Sequence, residues 1–90
     1  MRKIEYSNQF KRDYKSIAKR GFDIQRLERA ITLLREDKPM PKEYRDHALS
    51  GNWQSYRECH LAFDWLLIYK KEAGALILTL MRTGTHDELL

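Results

Sequence analysis

The chain has 90 residues, of which 42% are hydrophobic, and its 17 Lys and Arg outnumber its 13 Asp and Glu to give a formal charge of +4. A chain of this length has room for one hydrophobic core, so we expect a single domain over residues 1–90. No apolar run approaches the roughly 18 residues that span a bilayer, no signal-peptide core follows the charged start, and the lone Cys59 excludes an internal disulfide. We therefore expect a cytoplasmic protein with no membrane partner.

The first half of the chain is typical of a strand followed by two helices. Residues 2–6 alternate as a short strand does, and Ser7 is suited to cap the helix that follows. Gly21 ends this helix, and Asp23 caps a second one that runs towards Pro39. The apolar stripe of the second helix steps by three and four residues through Ile24, Leu27, Ile31 and Leu34. The short link between the helices predicts an antiparallel hairpin.

The second half changes to the periodicity of strands. Residues 53–60 alternate like a half-exposed strand, and residues 64–70 and 76–81 are nearly continuous apolar runs. Residues 72–75 supply the turn between those runs, and residues 82–86 are expected to leave the sheet. The order β-α-α-β-β-β predicts an α+β fold, with the helical hairpin packed on one face of a mainly antiparallel sheet.

Positive charge is concentrated in the first half of the chain. Residues 1–45 carry 13 Lys and Arg against 7 Asp and Glu, whereas residues 46–90 carry 4 against 6. The predicted first helix contributes Lys11, Arg12, Lys15, Lys19 and Arg20. Such a surface suits RNA or an acidic protein partner, and it is equally typical of helices with solvated outer faces. The charge distribution alone leaves both interpretations open.

Residues suited to acid–base chemistry lie in the second half, near predicted strand ends and loops. They are His47, His60, Asp64, Arg82 and His86. Cleavage of RNA by its own ribose needs a base for the 2′-OH, an acid for the leaving 5′-oxygen and a cation for the phosphate. Histidine suits both proton steps because its ordinary pKa is about 6.5. Each residue also has a structural interpretation: a surface histidine, a turn cap for Asp64, or an ion pair for Arg82.

A metal site is the competing chemical interpretation of this region. Cys59, His60 and Asp64 are all possible ligand types. The chain has no C-x-x-C or H-x₃₋₅-H pair, however, and neighbouring residues of a strand point to opposite faces. We therefore expect neither a metal ion nor another cofactor.

Tryptophans flank the histidines in the sequence. Trp53 and Trp65 could stack on RNA bases, because every base offers a π-face. Trp65 and Tyr69 alternate along the predicted central strand, where facing the helices is the stronger interpretation. For Trp53 both interpretations stay open.

Four segments in order resemble the YafQ branch of the RelE-type toxins. They are YRDHALSG at 44–51, WQSYRECH at 53–60, DWLLIYK at 64–70 and RTGTH at 82–86. The N-terminal IEYS-x-QF-x-x-D segment extends the resemblance over nearly the whole chain. The resemblance implies a microbial-ribonuclease-like fold in a single toxin domain. It also implies the toxin of a type II toxin–antitoxin system, which cuts mRNA on the ribosome by metal-independent attack of the 2′-OH on the adjacent phosphate.

The resemblance also implies roles for individual residues. The family's active-site acids and bases correspond to His47, His60, Asp64 and His86. Its phosphate-facing arginine corresponds to Arg82, and its neighbouring tryptophan to Trp65. The family often places an aromatic residue four positions after the last histidine, where this chain has Leu90. Contact with the RNA base at this position would then come from Leu90, or base stacking would be taken over by another residue such as Trp53.

The partners implied by the resemblance are an antitoxin and the ribosome. The antitoxin is expected to be dimeric, with a C-terminal segment that wraps the toxin, and operator DNA would be contacted only through that complex. The ribosome would present mRNA in its A site. Two alternatives remain, a ParE-like inhibitor of DNA gyrase and an RNA-binding protein that blocks translation without cutting. Neither needs the histidine set, so replacing His86 separates them from a nuclease.

Overall fold

The computed structural model describes residues 1–72, 74 and 76–90. Its strands are β1 (Lys3–Tyr6), β2 (His47–Ala48), β3 (Arg57–Ala62), β4 (Trp65–Glu72) and β5 (Ile77–Gly84). Its helices are α1 (Asn8–Lys19), α2 (Ile24–Arg35) and α3 (His86–Leu89). The strands form one sheet in the order β1-β5-β4-β3-β2, parallel between β1 and β5 and antiparallel elsewhere. The predicted α+β fold is confirmed. No helix in the described ranges has the length and apolar character needed to cross a membrane.

Both long helices begin at the predicted caps. The Ser7 hydroxyl accepts a hydrogen bond from the Phe10 backbone N–H at 2.8 Å, and the Asp23 carboxylate accepts one from Gln25 at 3.2 Å. Gly21 follows α1 with a φ of +81°, a conformation that costs glycine little. Helix α2 ends at Arg35, four residues before Pro39, towards which it was predicted to run.

Helices α1 and α2 cover one face of the sheet, as predicted. Their buried side chains meet those of β3, β4 and β5 in one cluster that includes Phe10, Ile17, Leu27, Leu34, Leu67, Leu78 and Leu80. Full burial of one such side chain contributes about 1.5–3 kcal/mol. Trp65 and Tyr69 belong to this cluster and are 3% and 1% exposed. The interpretation that places them against the helices is confirmed.

The opposite face of the sheet carries a smaller core that the sequence did not predict. Leu66 and Ile68 of β4 meet Leu89 of α3 there, with Trp53 and Tyr56 packed around them. Helix α3 begins with a capping box, in which the side chains of Thr85 and Glu88 each bond to the other's backbone. This face carries the candidate site.

Two of the predicted boundaries in the second half differ clearly from the structure. The strand predicted from Trp53 begins at Arg57, and Trp53 ends a short 3-10 turn over Gly51–Trp53. The chain does not leave the sheet at Arg82, because β5 continues to Gly84 through pairing with β4. Of the turn predicted at 72–75, Ala73 and Ala75 lie outside the described residues.

Candidate active site

Alternation along β3 separates the residues of the site from those of the core. Cys59 and Leu61 are buried under the helices, whereas Glu58 and His60 face the opposite side of the sheet. Burial raises the pKa of the Cys59 thiol, which keeps it protonated and unreactive at neutral pH. Cys59 and His60 therefore do not share a site, as the strand periodicity predicted.

A buried carboxylate lies between two histidines on the open face. Strand β2 pairs His47 with Glu58, which is 4% exposed. The Oε1 atom of Glu58 lies 3.8 Å from Nε2 of His47 and 3.3 Å from Nε2 of His60. The side chains of the two histidines are 50% and 20% exposed, so solvent and substrate can reach both rings. Glu58 was not predicted as a site residue, and its one signal in the sequence is its i,i+2 spacing from His60 on the same strand face.

Arg45 orients both rings of this cluster. Its carbonyl oxygen lies 2.7 Å from His47 Nδ1 and can only accept, so neutral His47 carries its proton on Nδ1 and leaves Nε2 free to take up another. Its guanidinium lies 3.5 Å from His60 Nδ1 and can only donate, which places the proton of neutral His60 on Nε2, facing Glu58. His47 therefore presents an unprotonated Nε2 to the Glu58 carboxylate, whereas His60 presents an Nε2–H donor to it.

The pKa of His60 is lowered from its ordinary value. The largest cause is burial, followed by the nearby Arg45 guanidinium; Glu58 opposes the shift, and His47 and His86 add to it. His60 is therefore neutral at physiological pH.

Asp64 and His86 are joined through the backbone. The carboxylate of Asp64, in the turn between β3 and β4, accepts a hydrogen bond from the His86 N–H at 3.1 Å. His86 is the first residue of α3, and its side chain is exposed. The Glu88 carboxylate holds the same helix to α1 through Arg20, at 3.0 and 3.2 Å. The Arg20 bonds, together with those from Thr85, lower the pKa of Glu88 to about 2. Asp64 thus holds the backbone at the start of α3.

Arg82 is held by an acid from the first helix. Its Nε and Nη2 atoms each donate to a different oxygen of Asp13, both at 3.0 Å. Asp13 is 8% exposed and also accepts hydrogen bonds from the Thr83 N–H and the Gln9 side chain. The hydrogen bond to Asp13 raises the pKa of Arg82, whose side chain is 25% exposed. Asp13 is the aspartate of the QF-x-x-D segment, so the N-terminal motif already contained this partner of Arg82.

The two tryptophans lie in different environments. The Trp65 indole is buried, donates to Thr83 Oγ1 at 2.9 Å and meets Phe22 edge-on at 5.1 Å. It is therefore not presented to a base, and its structural interpretation is the one observed. Trp53 is half-buried and packs edge-on against Tyr56 at 5.4 Å. Leu90, beyond α3, is 51% exposed.

The basic residues of α1 and its C-cap point to solvent. Four of them belong to α1 and Arg20 follows it as the C-cap residue: Lys11, Arg12, Lys15, Lys19 and Arg20 are all exposed, and all but Lys11 line one shallow hollow. Arg20 differs from the others, because it is bonded to Glu88 and its guanidinium lies 4.7 Å from the centre of the Phe22 ring. The lysines make no ion pair among the described residues. Their charge is available to an anionic partner.

The histidine–glutamate cluster also has the donor set of a metal site. One ligand atom from each of His47, Glu58 and His60 lies within 4.8 Å of the others. Two imidazole nitrogens and a carboxylate oxygen are ligands that zinc and copper accept, with a position left for water or substrate. Of the three ligands weighed from the sequence, His60 belongs to this cluster, whereas Cys59 and Asp64 do not.

Comparison with known proteins identifies the family. Residues 2–90 match the family described as bacterial toxin of type II toxin–antitoxin system, YafQ. The chain is 44% identical over 89 residues to the mRNA interferase toxin YafQ of Escherichia coli strain K12, covering 98% of this chain and 95% of that protein. It superposes on a chain of the crystal structure of the E. coli DinJ-YafQ complex with a TM-score of 0.90 and 43% identity, covering 100% and 99% of the two chains. A metal-bound toxin from Helicobacter pylori matches with a TM-score of 0.94 and 39% identity over 100% of both chains. The chain therefore belongs to the YafQ family of type II toxins.

Proposed function

We propose that this chain is an endoribonuclease that cleaves messenger RNA, as the toxin of a type II toxin–antitoxin system. The observation that carries the proposal is the His47–Glu58–His60 cluster on an open face of the sheet. The relative from E. coli is named an mRNA interferase, and the two chains are 44% identical.

The base in this proposal is His47. Its Nδ1 proton is fixed by the Arg45 carbonyl, so Nε2 of this half-exposed ring takes the proton from the ribose 2′-OH. The buried Glu58 carboxylate stabilises the imidazolium that forms, and His60 holds Glu58 in place through Nε2–H. Because His60 stays neutral, it adds no positive charge beside His47, and this favours proton uptake by His47.

The acid in this proposal is His86, and the phosphate is held by arginine. The 2′-oxygen forms a bond to phosphorus while the bond from phosphorus to the 5′-oxygen breaks, and His86 gives its proton to that oxygen. Arg82 stabilises the charge on the phosphate with the N–H groups that Asp13 leaves free. The products are a 2′,3′-cyclic phosphate and a 5′-hydroxyl.

Metal independence is part of the proposal. His47, Glu58 and His60 would be the residues that hold a metal ion, and the ion would supply Lewis-acid stabilisation of the phosphate. In the proposed reaction His47 Nε2 must be free to accept a proton, and a bound metal at that atom would prevent this. Zinc or copper is therefore expected to inhibit cleavage by this chain.

Ribosome dependence is a further part of the proposal. In-line attack requires the 2′-oxygen, phosphorus and 5′-oxygen to be aligned, and such orientation is worth roughly 7–11 kcal/mol. Flexible mRNA rarely holds this geometry alone, whereas the A site can hold a codon in it. The exposed lysines of α1 would then contact ribosomal RNA phosphates.

The proposed protein partner is a cognate antitoxin. The E. coli YafQ chain that superposes on this one was crystallised in a DinJ-YafQ complex. We expect a dimeric antitoxin whose C-terminal segment wraps this chain, with operator DNA contacted through that complex.

Induced expression followed by mapping of mRNA 5′ ends tests the function. New ends within open reading frames are expected for the natural chain, and replacing His86 with alanine should reduce them by about 10²-fold. Asp87→Asn is the matched control, since Asp87 is the next exposed residue of α3 and has no role in the mechanism. Growth arrest without new ends, or arrest unchanged by His86→Ala, would support a gyrase inhibitor or an RNA-binding protein instead.

A further inference from the structure

A groove of about 470 Å³ extends from His60 away from the histidine–glutamate cluster. Its wall includes Arg26, Arg29, Glu43, Arg45 and Phe63. Strand β2 pairs with residues 57 and 58 of β3, and no other described strand pairs with that edge of β3 at 60–62. Arg26 of α2 reaches across this edge and donates to the Leu61 carbonyl at 3.3 Å. The groove therefore leads from the open face of the sheet around to α2.

Positive charge prevails in the groove. It contains three arginines and one carboxylate, Glu43. Arg29 makes no ion pair among the described residues, and Arg26 lies 3.7 Å from Asp23 in a pair whose two side chains are more than half exposed. Pairs of that kind are weak, so the arginines retain most of their attraction for an anion.

Phe63 gives the groove an aromatic surface. It lies in the turn between β3 and β4 and is 99% exposed, which leaves its ring faces uncovered. The next residue, Asp64, holds the backbone of His86. Aromatic rings beside a basic track are the usual means of holding single-stranded nucleic acid, because any base can stack on them.

We propose that this groove binds the single-stranded RNA that adjoins the scissile phosphate. Arg26 and Arg29 contact backbone phosphates, and Phe63 stacks on a base. The proposal rests on the proposed function in taking RNA as the substrate. RNA fits better than an acidic peptide, because the groove opens on His60 and a bound strand would continue directly to the reacting phosphate. Each RNA base also offers a planar ring to stack on Phe63, whereas the Asp and Glu side chains of an acidic peptide do not.

Binding of a short 2′-O-methyl RNA oligonucleotide tests the groove separately from cleavage. This probe lacks the attacking hydroxyl, so affinity can be measured by fluorescence anisotropy whether or not the chain cuts RNA. Phe63→Ala should weaken binding by about 5- to 150-fold, the range for loss of one stacked base, and Phe63→Trp should retain it. Arg29→Ala should weaken binding and reduce the salt slope by about 0.7. Arg35→Ala is the control, because Arg35 is exposed on the same helix outside the groove.

The outcomes separate this proposal from the proposed function. If substitution of Phe63 and Arg29 weakens oligonucleotide binding but the natural chain cuts no mRNA, the groove proposal is supported and the proposed nuclease function is rejected. If the natural chain cuts mRNA and both variants bind and cut like Arg35→Ala, the groove proposal is overturned. Failure of the natural chain to bind the oligonucleotide overturns it as well. An acidic peptide of Asp and Glu that binds more tightly than the RNA, with Arg29 but not Phe63 required, would assign the groove to a protein partner.

Discussion

Asp13 and Arg82 form a bidentate ion pair that joins helix α1 to strand β5, although the two residues are 69 positions apart in the chain. The two hydrogen bonds fix the plane of the Arg82 guanidinium. The same carboxylate accepts the Thr83 N–H, so Asp13 also holds the backbone of β5. A nearly buried carboxylate of this kind requires its partners, because loss of one leaves a charge without compensation.

We expect Asp13→Asn to reduce cleavage while the protein stays folded. Asparagine keeps one acceptor oxygen but loses the charge-assisted fork, so Arg82 is no longer held in one plane. Arg82→Ala should cost about 10²-fold in rate and destabilise the fold as well. Rates of cleavage and urea unfolding measure the two effects. An Asp13→Asn protein with unchanged rate would show that the pair serves stability alone.

We expect Tyr69→Phe to lower activity through the loop that carries Arg45 and His47. The Tyr69 hydroxyl donates to Asp46, which lies between those two residues and also accepts from Arg57 at 3.2 Å. Removal of one hydrogen bond costs about 1 kcal/mol of stability and frees the loop. Tyr14→Phe is the control, since the Tyr14 hydroxyl makes a long, exposed bond to Glu28 at 3.4 Å. Equal kcat values for the two variants would contradict a positioning role for Asp46.

The His60 ring is expected to titrate below its ordinary pKa of 6.5, chiefly because of burial and secondly because of Arg45. The unfolded chain then binds a proton at higher pH than the folded one, so stability falls as pH drops below 6.5. NMR titration of the three histidine rings, with His60 assigned from a His60→Gln variant, measures the midpoint. His60→Gln should also lose less stability on acidification than the natural chain. A His60 midpoint above 6.5 would contradict the described arrangement.

Charge reversal at Lys15 and Lys19 should reduce cleavage on ribosomes and flatten its dependence on salt. These lysines are exposed and unpaired among the described residues, so the free energy of unfolding should change by about 0.5 kcal/mol or less. Arg20→Glu should behave differently, because it also breaks the bond that holds α3 through Glu88. If the Lys15→Glu, Lys19→Glu protein keeps its full activity on ribosomes, α1 does not contribute to ribosome binding.

Features that depend on neighbouring residues were predictable from the sequence. The caps at Ser7 and Asp23 were predicted because a helix begins with a local hydrogen bond between side chain and backbone. Helix α3 was missed because its four residues are too few to show a period. The continuation of β5 to Gly84 was missed because it depends on pairing with β4, which the local sequence does not encode.

The site was predictable in its residue types and less so in its contacts. The contact between His47 and His60 depends on the pairing of β2 with β3, and the same pairing buries Glu58, which resembled an ordinary strand glutamate. The pairing of Arg82 with an acid was one open interpretation, but its partner lies near the other end of the chain. Burial of Trp65 followed from strand alternation, whereas its bond to Thr83 did not.

The chemistry of the new RNA ends tests the central claim most directly. The purified chain is mixed with ribosomes that hold a defined mRNA, magnesium is supplied, and a chelator selective for zinc and copper is added. Attack by the 2′-OH predicts undiminished cleavage, with a 5′-hydroxyl on one fragment and a 2′,3′-cyclic or 3′-phosphate on the other. Fragments with a 5′-phosphate, or cleavage that the chelator abolishes and zinc or copper restores, would contradict the account and assign His47, Glu58 and His60 to a metal ion.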